Sequence, residues 1–303
     1  MSGYSEIEII EKLNSEILVS KRKGSLETEV KRKLIQFKTY FPFHVVKWYK
    51  QHQMWKAATA LSKPVEKVFY ATGLPVEGKK GVVYTCVTGG YDKLRDPLLI
   101  NNNLDYIAFS DRKPNSVKES VWKYQSLPQE SNCNRWKNYA NRYCKMHPFE
   151  LFPEYDYAIY VDGNVEIVSD ITALYNVAHE SKLGIAMHSH NLRQCIYDEA
   201  EVCKAYGKGN VEDINTQVNK YKTEHFPTRF GMMEATIIVT DLKNEKAERI
   251  FNDWWNEFLL TPSKRDQLSF PYIIWKNGFT ISDLGCLGND EYMNPKFRIY
   301  RHS

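Results

Sequence analysis

Four absences narrow the field before any residue is read for chemistry. The six cysteines, Cys86, Cys133, Cys144, Cys195, Cys203 and Cys286, form no C-x-x-C pair and no cluster with histidine. Several sit in runs that read as buried strand or helix, which excludes a zinc module or disulfide scaffold and leads us to expect reduced thiols in a cytoplasmic protein. No stretch of about 18 apolar residues occurs, so no membrane-spanning helix is expected. The opening residues Met1 to Glu8 carry acids and lack an apolar h-region, so export by a signal peptide is not expected either. Internal repeats and low-complexity tracts are absent as well, which excludes solenoids and disordered linkers.

What is present is a chain of 303 residues, long enough to bury a substantial core, and unusually rich in rings: aromatics make up 14%, with 20 Tyr and 7 Trp. Some of these rings are expected to line a groove, and sugars stack well on them. The net charge of +4 is unevenly placed, because residues 1–80 hold 15 Lys or Arg against 8 Glu and the remainder is mildly acidic. Lys21-Arg22-Lys23 and Lys31-Arg32-Lys33, followed by Phe41, Phe43, Trp48, Tyr49 and Trp55, make residues 1–60 a candidate contact for an anionic membrane surface. A helical hairpin packed on the rest of the chain is the alternative. With no binding module and an acidic remainder, nucleic acid is not expected as a partner.

Apolar spacing predicts helices over 5–20 and 25–38 and a third over 43–61, after which Gly73, Pro75, Gly78 and Gly81 mark a boundary. Two domains follow from this: a basic helical segment over 1–80 and a catalytic domain over 81–303. From residue 82 short apolar runs alternate with helical spacing. Strands are expected at 82–87, 106–109, 157–161, 184–187, 235–240 and 279–282, with helices near 133–150, 170–180, 194–206, 244–259 and 266–276. Such alternation implies a doubly wound, mostly parallel α/β sheet, whose ligands bind beyond the carboxyl ends of the strands.

The polar residues fall on those ends. Thr88, Gly89, Gly90 and Tyr91 follow the first strand, where glycines let backbone N–H groups approach a ligand and a ring can stack on a base. Asp111 ends the second strand and reads as a contact to base or ribose, or as a helix cap. The strongest signal is the apolar strand Tyr157 to Val161 delivering Asp162, Gly163 and Asn164. A diphosphate leaving group needs a divalent cation, Mn2+ or Mg2+, and Asp162 and Asn164 offer it oxygens at i and i+2. Arg135, Asn138, Arg142 and Lys145 share one helix face, suited to phosphate oxygens or simply solvated. His188 and His190 follow the fourth strand and read as sugar contacts or as structural, with Asp198 and Glu199 on the next helix. Glu234 opens the next strand, and Asp266 starts a helix where a general base would be held, unless it only offsets the helix dipole.

Taken together, the runs Val83 to Asp92, Ile107 to Asp111, Asn138 to Pro148, Tyr157 to Val165, Ile196 to Ala200 and Arg265 to Phe270 resemble a glycosyltransferase-like family shared by plant cell-wall proteins and bacterial polysaccharide clusters. The resemblance covers about two thirds of the chain. It implies a GT-A-like fold, a nucleotide-diphosphate sugar donor and a DxD-like metal site on Asp162 and Asn164; the residues read from the sequence as contacts for such a donor are Thr88 to Tyr91, Asp111, Arg142, Lys145, Asp162 and His188. Asn164 stands where the family pattern commonly has a second acid. A C-terminal histidine ligand, which such enzymes often add, would here be His302. The expected reaction is transfer of a sugar to a hydroxyl of a glycan or lipid-linked acceptor, with Asp266 or Glu234 as the base or a retaining mechanism that needs neither. A nucleotidyltransferase and a glycan-binding module without turnover are the alternatives.

Overall fold

The computed structural model describes residues 45–112, 120–131 and 139–302. The helices expected over 5–20 and 25–38, together with Cys133, Arg135 and Asn138, lie outside the described residues.

Nine strands are described: β1 (Gly81–Val87), β2 (Leu104–Ser110), β3 (Lys123–Ser126), β4 (Tyr157–Val161), β5 (Val165–Ile167), β6 (Ile185–Ser189), β7 (Met233–Asp241), β8 (Gly285–Gly288) and β9 (Phe297–Ile299). Seven of them form one sheet in the order β3-β2-β1-β4-β7-β6-β8, and β5 pairs with β9. The run β3, β2, β1, β4 is parallel, as is β6 with β8, while β7 is antiparallel to both of its neighbours. This is the GT-A-like, mostly parallel α/β sheet expected from the sequence. Reversal of β7 has one consequence for the site: its first residues, not its last, lie beside the carboxyl ends of β4 and β6.

The central strands are apolar on both faces because both faces are covered. Val82, Tyr84 and Cys86 of β1 join one core layer with the helices Tyr139–Met146, Ile196–Ala205, Glu245–Leu260 and Asp266–Lys276, while Val83 joins the opposite layer with the helix Leu174–His179. In the Glu245–Leu260 helix the buried positions Ala247, Ile250, Phe251, Trp254, Trp255 and Phe258 fall on one face. Asn244 starts that helix by accepting from the Lys246 and Ala247 amides.

Two expectations are corrected. Residues 279–282 form no strand: Thr280 and Asp283 close a capping box around a single 3-10 turn, Ile281–Asp283, and the strand follows at Gly285–Gly288. Glycine, which reads as a breaker, is required there because a Cβ on Gly285 would meet the Val177 carbonyl oxygen at 2.3 Å. The helix Val211–Thr223, capped by Asn210, is not evident from apolar spacing, nor are β3, β5 and β9.

Ahead of the sheet, the helix Val45–Ala60 packs on Ile196–Ala205. Trp55, one of the rings offered as a candidate membrane contact, is 8% exposed, and its indole N–H donates to the Ala205 carbonyl at 2.9 Å, as the packed alternative has it. No helix among the described residues is long and apolar enough to cross a membrane.

Candidate active site

The carboxyl ends of β1, β2, β4, β6 and β8 and the start of β7 share one edge of the sheet. The edge therefore collects the loop Thr88 to Asp92, Asp111, the turn Asp162-Gly163-Asn164, His188 to His190, Glu234, and the acidic pair Asp290 and Glu291.

Gly89 and Gly90 both adopt φ of 66°, a conformation that costs an L side chain but not glycine. The loop they make is tied to the next strand: both oxygens of Asp111 accept from the Gly89 amide at 3.0 Å. Asp111 thus shapes the glycine loop rather than standing free for a ligand. Tyr91 is half exposed, and its ring lies 4.8 Å from that of His302.

At the end of β4 the hydroxyl of Tyr160 donates to Asp162 Oδ1 at 2.7 Å, and Lys145 Nζ approaches the same oxygen at 3.3 Å. Gly163 has no room for a side chain, since a Cβ would meet Val87 Cγ2 at 2.5 Å and Asp92 Oδ2 at 3.5 Å. Asn164 is 6% exposed; its amide donates to the Tyr300 carbonyl at 2.7 Å while Oδ1 is buried without a hydrogen-bond partner. The pairing of β5 with β9 carries residues 297–302 back across this turn. There the guanidinium of Arg95 stacks on Tyr300 at 3.5 Å, and His302 Nδ1 lies 2.9 Å from Asp92 Oδ1.

The turn can be tested against the cation that the family resemblance implies. Among the described residues no group of three or more His, Cys, Asp or Glu is arranged to hold a metal. Counting the amide changes the set of donors: Asp162 supplies a carboxylate, Asn164 an unpartnered buried oxygen, and His302 a ring whose Nδ1 is engaged by Asp92. A carboxylate on one ring nitrogen is the usual orienting partner of a metal-binding histidine, with the other nitrogen kept for the metal. These donors are of the kind a hard divalent cation takes, so the residues fit.

Lys145 and Arg142 do not face the site as solvated cations. Lys145 is 2% exposed, donates to the Ala235 carbonyl at 2.8 Å, and stands 3.4 Å from Asp266 Oδ2 as well as beside Asp162. Arg142 Nε lies 2.9 Å from the same Asp266 oxygen. Burial by itself pushes the Asp266 carboxyl up, but Arg142, Lys145 and Arg265 outweigh it and hold the group well below the usual carboxylate range. Asp266 is therefore a buried counter-ion. The indole of Trp254 also fixes its backbone, donating to the Asp266 carbonyl at 3.0 Å.

Glu234 has the opposite environment. Its Oε2 accepts from Gln267 at 2.7 Å, and its Oε1 lies 3.3 Å from His190 Nδ1. Burial raises its pKa, and the charge of Glu199 acts in the same direction, against His190, Gln267 and Arg193. Beyond His190 the network continues through Arg193, which binds Glu199 at 2.5 Å and reaches Ser62 at 2.9 Å. Glu199 is buried too, yet the hydrogen bond from His190 and the charge of Arg193 bring it down to about 2. Two glutamates on either side of one histidine are thus pushed apart in acidity.

His188 is fully buried, accepts from or donates to Asn294 through Nε2 at 2.8 Å, and is brought down to about 3 by burial. It supports β6 from beneath and does not reach the open edge. Sequence reasoning finds Asp92 at the end of the glycine loop but misses Asn141, Tyr160, Gln267 and Glu291. Gln267 lies next to Asp266, so proximity in sequence offers a signal. Glu291 has none, because an apolar count puts the strand that presents it six residues too early.

An α/β sheet with a carboxylate turn, a glycine loop and a capping C-terminal segment at one edge has the features of a nucleotide-sugar-binding domain of the glycosyltransferase type. Residues 74–281 match the TOD1/MUCI70 glycosyltransferase-like domain, and the chain belongs to that family. No curated protein matches the sequence. Similar solved structures include the bifunctional glycosyltransferase WbbM, at 14% identity and TM-score 0.46 over 79% of this chain and 49% of that one, so this chain spans about half the length of WbbM. The mannosyltransferase Ktr4p from S. cerevisiae in complex with GDP is 10% identical, with TM-score 0.40 over 80% of each chain. Core-mannan synthase A from Aspergillus fumigatus, in its Mn/GDP form, is 11% identical, with TM-score 0.37 over 73% of this chain and 77% of that one.

Proposed function

We propose that this chain is a metal-assisted glycosyltransferase, moving a sugar from a nucleotide-diphosphate donor to a hydroxyl of a glycan or lipid-linked acceptor in polysaccharide biosynthesis. The observation that carries the reading is the buried, unpartnered Oδ1 of Asn164, two residues beyond Asp162 on the ligand-binding edge of a sheet from a glycosyltransferase-like family. Mn2+ or Mg2+ held by Asp162, Asn164 and the free ring nitrogen of His302 would neutralise the diphosphate as it leaves.

The remaining roles belong to the chain itself. Tyr91 offers the half-exposed ring against which a base stacks, and the Thr88 to Gly90 loop, braced by Asp111, offers backbone to the donor. Lys145 holds Asp162 in place instead of touching phosphate, and Arg142, a fifth exposed, is the cation with an edge toward the donor. Of the two carboxylates expected as the base, Glu234 is the better suited, because a raised pKa brings a carboxylate closer to neutral, where proton uptake is effective. Glu234 takes the proton of the acceptor hydroxyl as that oxygen bonds to the anomeric carbon and the bond to diphosphate breaks. Asp266, ionised by its cations, positions Arg142 and Lys145. With Trp55 docked in the domain, contact with an anionic membrane would fall to the basic residues ahead of it.

The test is incubation with UDP- and GDP-sugars and Mn2+. Release of nucleotide diphosphate that disappears in Asp162→Ala supports the reading. Pyrophosphate release would indicate a nucleotidyltransferase, and failure of every nucleotide to bind would refute it.

A further inference from the structure

One buried polar atom at this edge has no role in the proposed transfer. Glu291 lies in the single 3-10 turn Glu291–Met293 after β8 and is 2% exposed. Its Oε1 accepts from the Thr236 hydroxyl at 3.3 Å, while Oε2 is buried without a hydrogen-bond partner. Thr236 stands two residues after Glu234 on β7, and its carbonyl accepts the Asp162 amide at 2.9 Å. Glu291 is therefore anchored on the piece of backbone that joins the proposed base to the diphosphate end of the site. An unpaired buried carboxyl oxygen is costly, and at a ligand-binding edge it marks where a polar group of the ligand completes the hydrogen bonding.

The side-chain charges that act most strongly on Glu291 are acidic: Glu234 from β7, Asp162 from the end of β4, and Asp290 from its own turn, whose carboxylate also accepts from Asn191 and the Tyr292 amide. Burial first, then the charge of Glu234, hold the Glu291 carboxyl well above its ordinary range, which favours the protonated form that can both donate and accept. The cations of the neighbourhood, Lys145 and Arg142, are already engaged by Asp162 and Asp266.

We propose that Glu291 binds a hydroxyl of the sugar being transferred, and that its acidic surroundings select a neutral sugar over a uronic acid. The inference rests on the glycosyltransferase reading, since it is the diphosphate at Asp162 that brings a donor sugar next to Glu291. A uronate carboxylate in the same place would add a negative charge beside Asp162 and Glu234, where Lys145 is already committed to Asp162 and Asp266.

Calorimetry on the full chain with Mn2+ tests it, using UDP and GDP alone, then UDP-glucose, UDP-galactose and GDP-mannose, then UDP-glucuronate and UDP-galacturonate. In Glu291→Ala the affinity for the neutral nucleotide-sugar that binds should fall about tenfold or more, while that for the nucleotide diphosphate stays within about twofold. The melting temperature should fall only slightly, through the lost Thr236 hydrogen bond, because Oε2 was unpaired. Glu291→Gln should bind within about threefold of the unsubstituted protein, since the amide keeps one donor and one acceptor in place. A uronate donor should bind about tenfold or more weaker than its neutral counterpart. Equal nucleotide-sugar affinity in Glu291→Ala, or an equal loss for sugar and diphosphate with a much lower melting temperature, would overturn the assignment. Tighter binding of the uronate would overturn the selectivity. If no nucleotide binds the unsubstituted protein, the glycosyltransferase reading falls and this inference with it. That outcome is distinct from a nucleotide that binds regardless of residue 291.

Discussion

Replacing Lys145 by Met removes the ammonium that joins Asp162 to Asp266, and its cost can be worked out from the partners it leaves. Lys145 and Asp266 are 2% and 5% exposed and Asp162 is 26% exposed, so the loss falls mainly on Asp266. Breaking a buried pair by deleting one partner costs about 3–5 kcal/mol. Arg142 stays 2.9 Å from Asp266, which places the expected cost at the lower end, about 3 kcal/mol, or roughly 6–12 °C in melting temperature. The pH dependence gives a second readout. Asp266 is depressed in the folded state, so it contributes stability that is present above its unfolded pKa of about 3.9 and is lost as pH falls toward its folded value. Without Lys145 the folded pKa rises and that contribution shrinks. The deficit of the variant should therefore be largest near neutral pH and narrow below about pH 4. Urea unfolding at neutral pH and at about pH 3.5 measures both. Combining Lys145→Met with Asp266→Asn should cost less than the sum of the two single changes, since each removes a charge the other had left unpaired. A variant as stable as the parent, with the same acid dependence, would refute the clamp and return Lys145 to the role of a phosphate contact.

Asn164→Asp should tighten Mn2+ binding, seen by calorimetry without substrate, because the orphaned amide oxygen becomes a charged one; weaker binding would remove residue 164 from the donor set. Glu234→Gln should lower kcat by about 10²–10⁴-fold while leaving nucleotide affinity unchanged, and a fall of less than tenfold would exclude it as the base. Gly285→Ala should destabilise the fold by about 1–3 kcal/mol in urea unfolding, since its Cβ has only 2.3 Å to the Val177 carbonyl oxygen, and a neutral result would mean that β8 moves freely.

Much of the sheet can be read in the sequence because the central strands are buried on both faces and so appear as unbroken apolar runs. Val82 to Val87 and Tyr157 to Val161 are found almost to the residue. Edge strands carry no such signal. β3 is exposed or half-exposed along its length, and β8 is half glycine because Val177 and Tyr70 press against it, so both are invisible to an apolar count. The turn Asp162-Gly163-Asn164 is legible because it follows directly from a strand end. The partners that complete it are not, since His302 meets Asp92 across 210 residues and Asn164 meets Tyr300 across 136.

The same limit explains why the carboxylates exchange roles once coordinates are in hand. In sequence, Asp266 beside Arg265 at a helix start and Glu234 at a strand start are two acids near a site, and the helix start is the more familiar seat for a base. What separates them is the set of cations within reach, and none of those cations is a sequence neighbour except Arg265. Lys145 and Arg142 come from a helix more than a hundred residues away and fix Asp266 in its ionised form, where it has little affinity for a proton. Glu234 has only His190 and Gln267 within hydrogen-bonding range, with Arg193 acting from farther off, and it shares its surroundings with Glu199 and Glu291. Its negative charge is thus opposed first by burial and then by the like charge of Glu199, and taking up a proton relieves both. A carboxylate whose neighbours favour protonation is the better equipped to accept a hydroxyl proton, which is the ground for proposing Glu234 over Asp266, and the antiparallel setting of β7 puts it at the same sheet edge as the Asp162 turn.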